Sequence, residues 1–391
     1  MKDKNKTSIT IENSIKNIGQ KNWNACANQS SNDFNPFVSY EFLHALEESK
    51  SVNGNSGWYT SFIRAKDCQN KTIGCIPSYL KNNSSGEYVF DYSWAEAYQR
   101  IGRAYYPKLQ ISVPFTPVTS GKLLTLSIDD KNTKLEMLTG IENFCKNNSI
   151  SSAHLTFISQ EDLDLINVKE WLIRTDQQFH WYNNNYDSFD DFLSALSSRK
   201  RKTIKKERKD ANKEGLKFEI LSNKDILEHH WDEFYKFYID TSMRKWGHPY
   251  LNRQFFSLIG QTMSDKILLI MVKNNNKYIA GALNFLGGET IYGRNWGCIE
   301  DHKYLHFEVC YYRAIDFAIQ KKLKKVEAGA QGSHKLSRGY RPSKTYSAHW
   351  IKDIDFSKAI SNYLQDEKLY IQENIDRLNK YVPFKKNKEE L

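Results

Sequence analysis

The sequence of 391 residues predicts an α/β fold with mixed parallel and antiparallel sheets in two lobes. Strand-length apolar runs alternate with segments of helical periodicity along the whole chain, which is typical of α/β proteins. Gly287-Gly288 joins two runs rich in β-forming residues, so at least one pair of strands forms an antiparallel hairpin. The length exceeds what one hydrophobic core usually spans, and we therefore expect two lobes.

The first lobe is predicted to cover residues 1–183. Its predicted elements are helix 39–49, strands 58–65, 72–80 and 88–92, helix 94–105, strand 109–114, helix 134–147, strand 153–157, helix 161–171 and strand 172–182. The lobe boundary is placed near residues 183–186, where three consecutive asparagines give the composition of a loop.

The second lobe is predicted to cover residues 184–391 and to repeat the theme of strands and helices. Its predicted elements are helix 189–213, strand 216–221, helices 226–243 and 252–263, strands 267–273, 278–286 and 289–297, helix 305–321, strands 324–328 and 346–351, and helix 356–378. The densest charge of the chain lies within helix 189–213, which would stand between the lobes.

Composition limits the partners and the chemistry of the chain. The net charge of +10 favours anionic partners such as nucleic acid, phosphate-bearing molecules or acidic lipid surfaces. The six cysteines include no CxxC pair, so we expect thiols rather than disulfides or a zinc site. The N-terminus has no apolar signal segment, and the longest apolar run, 267–272, has the length of a strand. We expect a cytoplasmic protein without a transmembrane segment, with peripheral membrane contact left open.

A glycine-broken loop after strand 324–328 carries the strongest candidate site. Lys335 is suited to stabilise the negative charge that develops on a carbonyl oxygen during amide formation, and His334 to accept a proton from an attacking amine. Arg338 and Arg341 are candidates for binding the phosphate of a donor, and Lys335 could do so instead of stabilising the oxyanion. The alternative is a surface loop of solvated cations, but the glycines at 329, 332 and 339 favour a specific backbone path.

The basic helix is the second candidate, with Arg201, Lys202 and Lys205 as its predicted binding residues. Side chains three and four residues apart share a helix face, so these cations form stripes that could bind tRNA phosphates, a diphosphate or an acidic membrane. A solvated helix face explains the same pattern equally well.

Three further patterns have both a functional and a structural interpretation. Glu308, near a helix start, would be a base or an amine anchor, or else a capping residue. Asp91 and Trp94 would bind the acceptor. The structural alternative is that this stretch forms a helix N-cap and part of an aromatic core. The ladder of His302, His306 and Cys310 lacks a fourth ligand, so no metal site is predicted.

The stretch from Gln99 to Ala104 formally fits the loop by which acetyltransferases hold the pyrophosphate of coenzyme A. Such a loop needs free backbone N–H groups at a strand-to-helix turn, whereas this stretch lies near the end of a predicted helix. We therefore interpret the match as chance.

Several stretches of the chain resemble the FemAB-like family, in the branch labelled peptidoglycan biosynthesis or recognition and within the wider GNAT acyltransferase superfamily. They are SSGEYVFDYSWAEAY, YYPKLQISVPFTPVTSGKLL, QFHWYN, DDFLSALSSRKRKTIKKER, YGRNWG, LHFEVCYY and GAQGSHKLSRGYRP. In Fem-type sequences a Gly-containing turn, a Lys and another Gly follow the late strand, as do Gly332, Lys335 and Gly339 here.

The resemblance implies tandem GNAT-like lobes and transfer of an acyl or aminoacyl group to an amine acceptor, such as a cell-wall peptide precursor. It implies no tightly bound cofactor, and it leaves the donor open between aminoacyl-tRNA and acyl coenzyme A. It also favours a functional basic helix. The alternative is a non-catalytic protein that uses a GNAT-like fold to bind RNA or a glycan.

Overall fold

The computed structural model of the chain describes residues 7–212 and 215–385 and divides into two compact units. Of the described residues, the first unit takes 7–176 and 345–371, and the second takes 177–344 and 372–385. Each unit therefore combines two separate stretches of chain. Within the described residues, no helix is both long enough and apolar enough to cross a lipid bilayer.

The strands of the described residues are numbered in chain order. They are β1 Ser8–Glu12, β2 Trp58–Thr60, β3 Phe62–Lys66, β4 Thr72–Ile76, β5 Ser78–Lys81, β6 Lys108–Ile111, β7 Leu124–Thr125, β8 Ser152–Thr156, β9 Leu172–Tyr182, β10 Leu216–Leu221, β11 Ile267–Asn274, β12 Lys277–Leu286, β13 Thr290–Cys298, β14 Lys325–Glu327 and β15 Arg341–Ile351.

The helices are numbered in the same way. They are α1 Gln20–Ala27, α2 Tyr40–Glu48, α3 Tyr92–Arg100, α4 Lys131–Asn147, α5 Gln160–Ile166, α6 Phe189–Ala195, α7 Ser198–Ala211, α8 Glu228–Trp246, α9 Arg253–Thr262, α10 Leu305–Phe307, α11 Arg313–Gln320 and α12 Ile354–Asn379. A π-helical turn, Glu308–Tyr312, joins α10 to α11 without a break.

The first unit contains a small sheet and a group of strands that ends on the late strand β15. The small sheet has the order β1-β3-β4-β7 and is antiparallel. In the second group β2, β5 and β6 pair antiparallel, β6 and β8 pair parallel, and β8 pairs antiparallel with β15. Helix α4 lies between β6 and β8 in sequence and packs on an apolar core that includes Leu109, Ile111 and Leu155.

The second unit repeats this pairing pattern. Strands β11, β12 and β13 pair antiparallel, β13 and β14 pair parallel, and β14 pairs antiparallel with β9. Helices α10 and α11 and the π-helical turn between them connect the parallel pair, as α4 does in the first unit, and the buried residues Val309, Ala314 and Ile315 of this segment face the core. The fold is thus the predicted mixed α/β arrangement in two related lobes.

Most predicted elements are present, and four predictions were wrong. The strands predicted at 58–65 and 72–80 are each two strands, β2 with β3 and β4 with β5, and the two members of each pair belong to different sheets. Residues 88–91 form no strand, because the backbone of Tyr88 is left-handed, with a φ of 61°, and the side chain of Asp91 points into the protein interior. Helix 189–213 is two helices, since Leu196 is extended and fully buried and pairs with Phe384 as an isolated β-bridge.

Candidate active site

A short turn between β14 and β15 holds the strongest predicted site residues. It contains a 3₁₀ segment, Ser333–Arg338, with Gly332 before it and Gly339 after it. The φ angles of these glycines are 95° and 89°, which L side chains rarely adopt. A Cβ at Gly332 would overlap the imidazole of His334, and one at Gly339 would lie 2.7 Å from the ring of Phe192. The glycines therefore let the turn pack closely on its own side chains and on the core.

The ammonium group of Lys335 organises this turn. The residue is 4% exposed, and its Nζ donates to the backbone carbonyls of Ala328, Gly329 and Gln331, all within 3.3 Å. Burial lowers the pKa of Lys335 to about 8. An ammonium has three N–H donors, so the three carbonyls use all of them. In this conformation Lys335 could reach a substrate oxygen only by exchanging one of these bonds.

His334 is half-buried on the same turn, among aromatic rings. Its Nε2 lies 3.0 Å from the hydroxyl of Tyr311, and its ring centroid lies 5.4 Å from that of Phe307. Burial lowers the pKa of His334, and the positive charges of Arg338 and Lys335 lower it further. The imidazole is therefore neutral at pH 7 and has a nitrogen lone pair that can accept a proton.

The two arginines of the turn differ in accessibility. Arg338 is 5% exposed and donates through Nη2 to both carboxylate oxygens of Glu207, at 2.8 and 2.9 Å. Its Nη1 donates to the carbonyl of His334 at 2.7 Å, and its guanidinium lies 3.4 Å from the ring centre of Phe307. Arg341 is exposed, with its guanidinium 4.5 Å from the ring of Phe384. Both arginines were predicted to bind the phosphate of the acyl donor. Arg341 is an exposed cation, whereas Arg338 is buried and paired with Glu207.

Glu308 is fully buried in the π-helical turn and is held by arginines. Arg208 donates to its two oxygens at 3.2 and 3.1 Å, and Arg313 lies 3.3 Å away as an ion pair. Arg208 also donates to Asp316 at 2.6 Å. The carboxylate thus belongs to a charge network between α7 and the π-helical turn, and in this arrangement it has no access to a substrate proton.

The predicted cationic stripe lies on the solvent-facing side of α7. Lys202 and Lys205 are exposed and Arg201 is half-buried, whereas Ile204 faces the core. Lys205 forms an ion pair of 3.0 Å with Asp190, but both side chains are more than half exposed, so the pair contributes little. The stripe is therefore accessible to a polyanion.

In the first unit, the structure places Asp91 and Trp94 in the interior. Asp91 is 2% exposed, forms an ion pair with Lys108, and accepts from the hydroxyl of Tyr105 at 2.6 Å. Burial opposes ionisation of Asp91, but the Lys108 ammonium outweighs burial and holds the pKa of this carboxyl well below its usual range. Trp94 is also buried, with its ring 4.9 Å from that of His349 in an edge-on contact. Neither side chain presents a surface to an acceptor in this conformation.

Sequence reasoning missed the buried polar network around these two residues. Lys108 also donates to Glu87 at 2.7 Å, and burial raises the pKa of Glu87 to about 7. His154 and His349 face each other with their Nδ1 atoms 2.7 Å apart. A polar residue at every second position of β6, β8 and β15 is the only sequence signal, and it usually indicates a solvent-facing side of a sheet.

Glu207 is the second missed residue, and it stands within the basic run of α7. The surrounding charge suggests a solvated position, yet the side chain is buried and pairs with Arg338. The available signal was an acidic residue inside the run of cations from Arg199 to Lys209.

Other predictions concern groups outside this site. His302 precedes α10, and its Nε2 lies at hydrogen-bond distance, 3.0 Å, from Oε2 of Glu300. No group of three histidine, cysteine or acidic side chains within 7–212 and 215–385 is arranged to hold a metal ion. Gln99 and Arg100 form the last turn of α3, and Gly102 follows that helix with a φ of 73°. The expectation that this stretch lies at a helix end is confirmed.

Comparisons with known proteins identify the family. A FemAB-like family model, described as peptidoglycan biosynthesis/recognition, matches residues 14–386. No curated protein sequence matches the chain. Among solved structures, FemX is 11% identical with a TM-score of 0.54, and the alignment covers 91% of this chain and all of FemX.

Two further structures have similar folds. The C-terminal domain of a putative lysylphosphatidylglycerol synthetase from Agrobacterium fabrum is 7% identical, with a TM-score of 0.51 over 87% of this chain and 95% of that one. A conserved protein of unknown function from Bacteroides thetaiotaomicron is 10% identical, with a TM-score of 0.51 over 88% of this chain and 100% of that one. At these identities the likeness shows the fold. Because the family model spans nearly the whole sequence, the chain belongs to the FemAB-like family of peptidoglycan biosynthesis/recognition.

Proposed function

We propose that the chain is an acyltransferase that moves an acyl or aminoacyl group from an activated donor to an amine acceptor, in the cytoplasm. Membership of the FemAB-like family supports this reaction class. The observation that carries the proposal is the half-buried imidazole of His334, held neutral on a glycine-bounded turn and hydrogen-bonded to Tyr311.

The chemistry requires a base and a stabilised oxyanion. The acceptor nitrogen attacks the donor carbonyl carbon and forms the new C–N bond, while the carbonyl π electrons move to oxygen. The nitrogen loses its proton to His334, and collapse of the intermediate expels the ribose hydroxyl of a tRNA or the thiol of coenzyme A. His334 then returns the proton to that leaving group.

Lys335 has two possible contributions to this reaction. Its bonds to three backbone carbonyls fix the path of the turn that carries His334. If a substrate carbonyl replaced one of the three acceptors, the ammonium would also stabilise the oxyanion. Glu308 contributes through its arginine partners to the packing of α7 against the π-helical turn, and we assign it no proton transfer.

The exposed cations of α7 favour aminoacyl-tRNA as the donor. Lys202, Lys205 and Lys209 are exposed on one helix, and a row of cations binds a polynucleotide by releasing its counterions. Acyl coenzyme A remains the second donor to test, because most of the superfamily uses it. A cell-wall precursor peptide with a free side-chain amine is the first acceptor to test, in keeping with the family description.

Transfer is measured with radiolabelled aminoacyl-tRNA or acetyl coenzyme A and the precursor peptide, with the product mass read by mass spectrometry. We expect His334→Gln to lower kcat/KM by about 10²–10⁴-fold. His302→Gln, at a hydrogen-bond contact with Glu300 away from the turn, is the control and should stay near the wild-type rate. Since the pKa of His334 is lowered, the wild-type rate should increase with pH as His334 loses its proton. The midpoint of this increase should lie below pH 6.5, and the contribution of His334 should be constant above it.

The donor is identified by binding as a function of salt. Replacing Lys202, Lys205 and Lys209 with Ala should weaken tRNA binding. It should also reduce the slope of log K against log salt concentration by about two to three, because fewer counterions are released. An unchanged slope would remove the tRNA assignment. Binding of RNA or glycan without transfer from either donor would instead favour the non-catalytic alternative.

A further inference from the structure

Glu207 is the buried acidic residue of the basic helix α7, and its contacts lead to the proposed base. Its two oxygens accept from Nη2 of Arg338 at 2.8 and 2.9 Å, and Oε2 also accepts from the hydroxyl of Tyr312. The side chain is 10% exposed, so these partners replace most of its water. A buried carboxylate with a charged donor is strongly held, since either group alone would be an unpaired buried charge.

Arg338 carries the connection to His334. Its second amino group, Nη1, donates to the backbone carbonyl of His334 at 2.7 Å. Its guanidinium also lies 3.4 Å from the ring centre of Phe307, and the imidazole of His334 packs near the same ring at 5.4 Å. The guanidinium therefore fixes both the backbone of His334 and the aromatic surface against which its side chain rests.

A second contact ties the same helix to the same turn. Lys200 donates through Nζ to the hydroxyl of Ser337 at 2.9 Å. Together with the pair formed by Glu207 and Arg338, this contact attaches α7 to two neighbouring residues of the turn. The helix that carries the exposed cations is thus attached directly to the turn that carries the proposed base.

We propose that Glu207 is a positioning residue that holds Arg338 against the backbone of His334 and so fixes the imidazole. The catalytic meaning of this arrangement rests on the proposed function, whereas the arrangement itself does not. It assigns Arg338 to the support of the turn instead of to the phosphate of a donor. It also gives the basic helix an internal role, separate from the binding of a polyanion by its exposed face.

The inference is tested by measuring the titration of His334 in the free protein, without any substrate. The charged and titratable groups around His334 are Arg338 and Lys335 on its own turn, and His306 and Tyr311 on the helical segment packed against it. The His334 ring signal is followed by NMR from pH 5 to pH 9, and it is assigned from its loss in His334→Gln. The variants are Glu207→Gln, Arg338→Gln and the double variant.

Arg338→Gln removes a nearby cation that lowers the pKa of His334, so this pKa should rise in the variant. If Glu207 acts through Arg338, Glu207→Gln should also shift the titration, and the double variant should match Arg338→Gln alone. Additive shifts, or no shift in Glu207→Gln, would overturn the proposal. Asp210→Asn removes the same charge from α7 and should leave the titration unchanged.

Should Glu207→Gln fail to fold, Glu207→Asp provides the second variant. It keeps the charge but shortens the side chain, so the paired contact with Arg338 is lost and the His334 signal should move in the same way. An unchanged signal in this folded variant would also refute the positioning role. Because the measurement needs no donor or acceptor, its failure is distinguishable from a failure of the transferase proposal, which is judged from product formation.

Discussion

Replacement of Lys335 by Met tests whether this ammonium holds the turn together. Methionine keeps an unbranched, apolar side chain of similar length, so the packing along the stem is largely retained. The change removes the partner of three backbone carbonyls, at Ala328, Gly329 and Gln331. We expect the free energy of unfolding to fall by about 2–4 kcal/mol.

The magnitude follows from two opposing terms. A carbonyl that loses its donor and stays shielded from water costs about 1–3 kcal/mol, and because Ala328 and Gly329 are half-buried and Gln331 is exposed, water offsets part of this. The buried ammonium has a cost of its own, because burial lowers the pKa of Lys335 from 10.5 to about 8, equivalent to roughly 3 kcal/mol. The carbonyl term is the larger of the two, so the substitution should be destabilising.

The difference between the two proteins should also depend on pH. Between pH 8 and 10.5 the unfolded wild-type chain binds a proton at Lys335 that the folded protein does not. The unfolding free energy of the wild type therefore rises with pH in this window relative to Lys335→Met. Below pH 8 both states of the wild type carry the proton, and the difference should be constant.

Urea unfolding followed by circular dichroism, at pH 7 and at pH 9.5, measures both effects. Lys324→Met is the matched control, since its side chain is 71% exposed and should change stability by less than about 0.5 kcal/mol. A loss in Lys335→Met no larger than that of the control would refute the organising role. A difference that shrinks as pH rises would refute the lowered pKa.

Three further predictions concern the two units. Lys108→Met leaves Asp91 without its counter-ion in the interior, and chemical unfolding should show a loss of about 3–5 kcal/mol; a loss below 1 kcal/mol would contradict the ion pair. Since the pKa of Asp91 is lowered in the folded protein, wild-type stability should fall as pH drops below about 4, and Asp91→Asn should be less sensitive to acid; equal acid slopes would count against this. Gly339→Ala should lower the melting temperature more than Gly329→Ala, because both positions have positive φ but a Cβ at Gly329 meets nothing within 4 Å. Equal losses would contradict this prediction and show that the neighbouring ring of Phe192 moves aside at little cost in free energy.

Several features of the fold could be predicted from the sequence because they depend on local patterns. Strands β11 to β13 were found from their apolar runs and from the Gly287-Gly288 hairpin, and the turn after β14 from its glycines. The prediction of a strand at 88–92 was wrong. The aromatic composition of this segment is typical of a strand, but Tyr88 has a left-handed backbone and the carboxylate of Asp91 is buried in the interior.

The sequence by itself determined the family, the α/β class and the turn that carries His334 and Lys335, because these features are written in short motifs and in periodicity. Only the tertiary structure decided what each charge does. Arg338 and Glu308 look like accessible functional groups in the sequence, yet their partners Glu207 and Arg208 come from a helix about a hundred or more residues away and bury them. A polar side chain is stabilised in the interior only by partners that the fold brings close, and chain position does not reveal those partners.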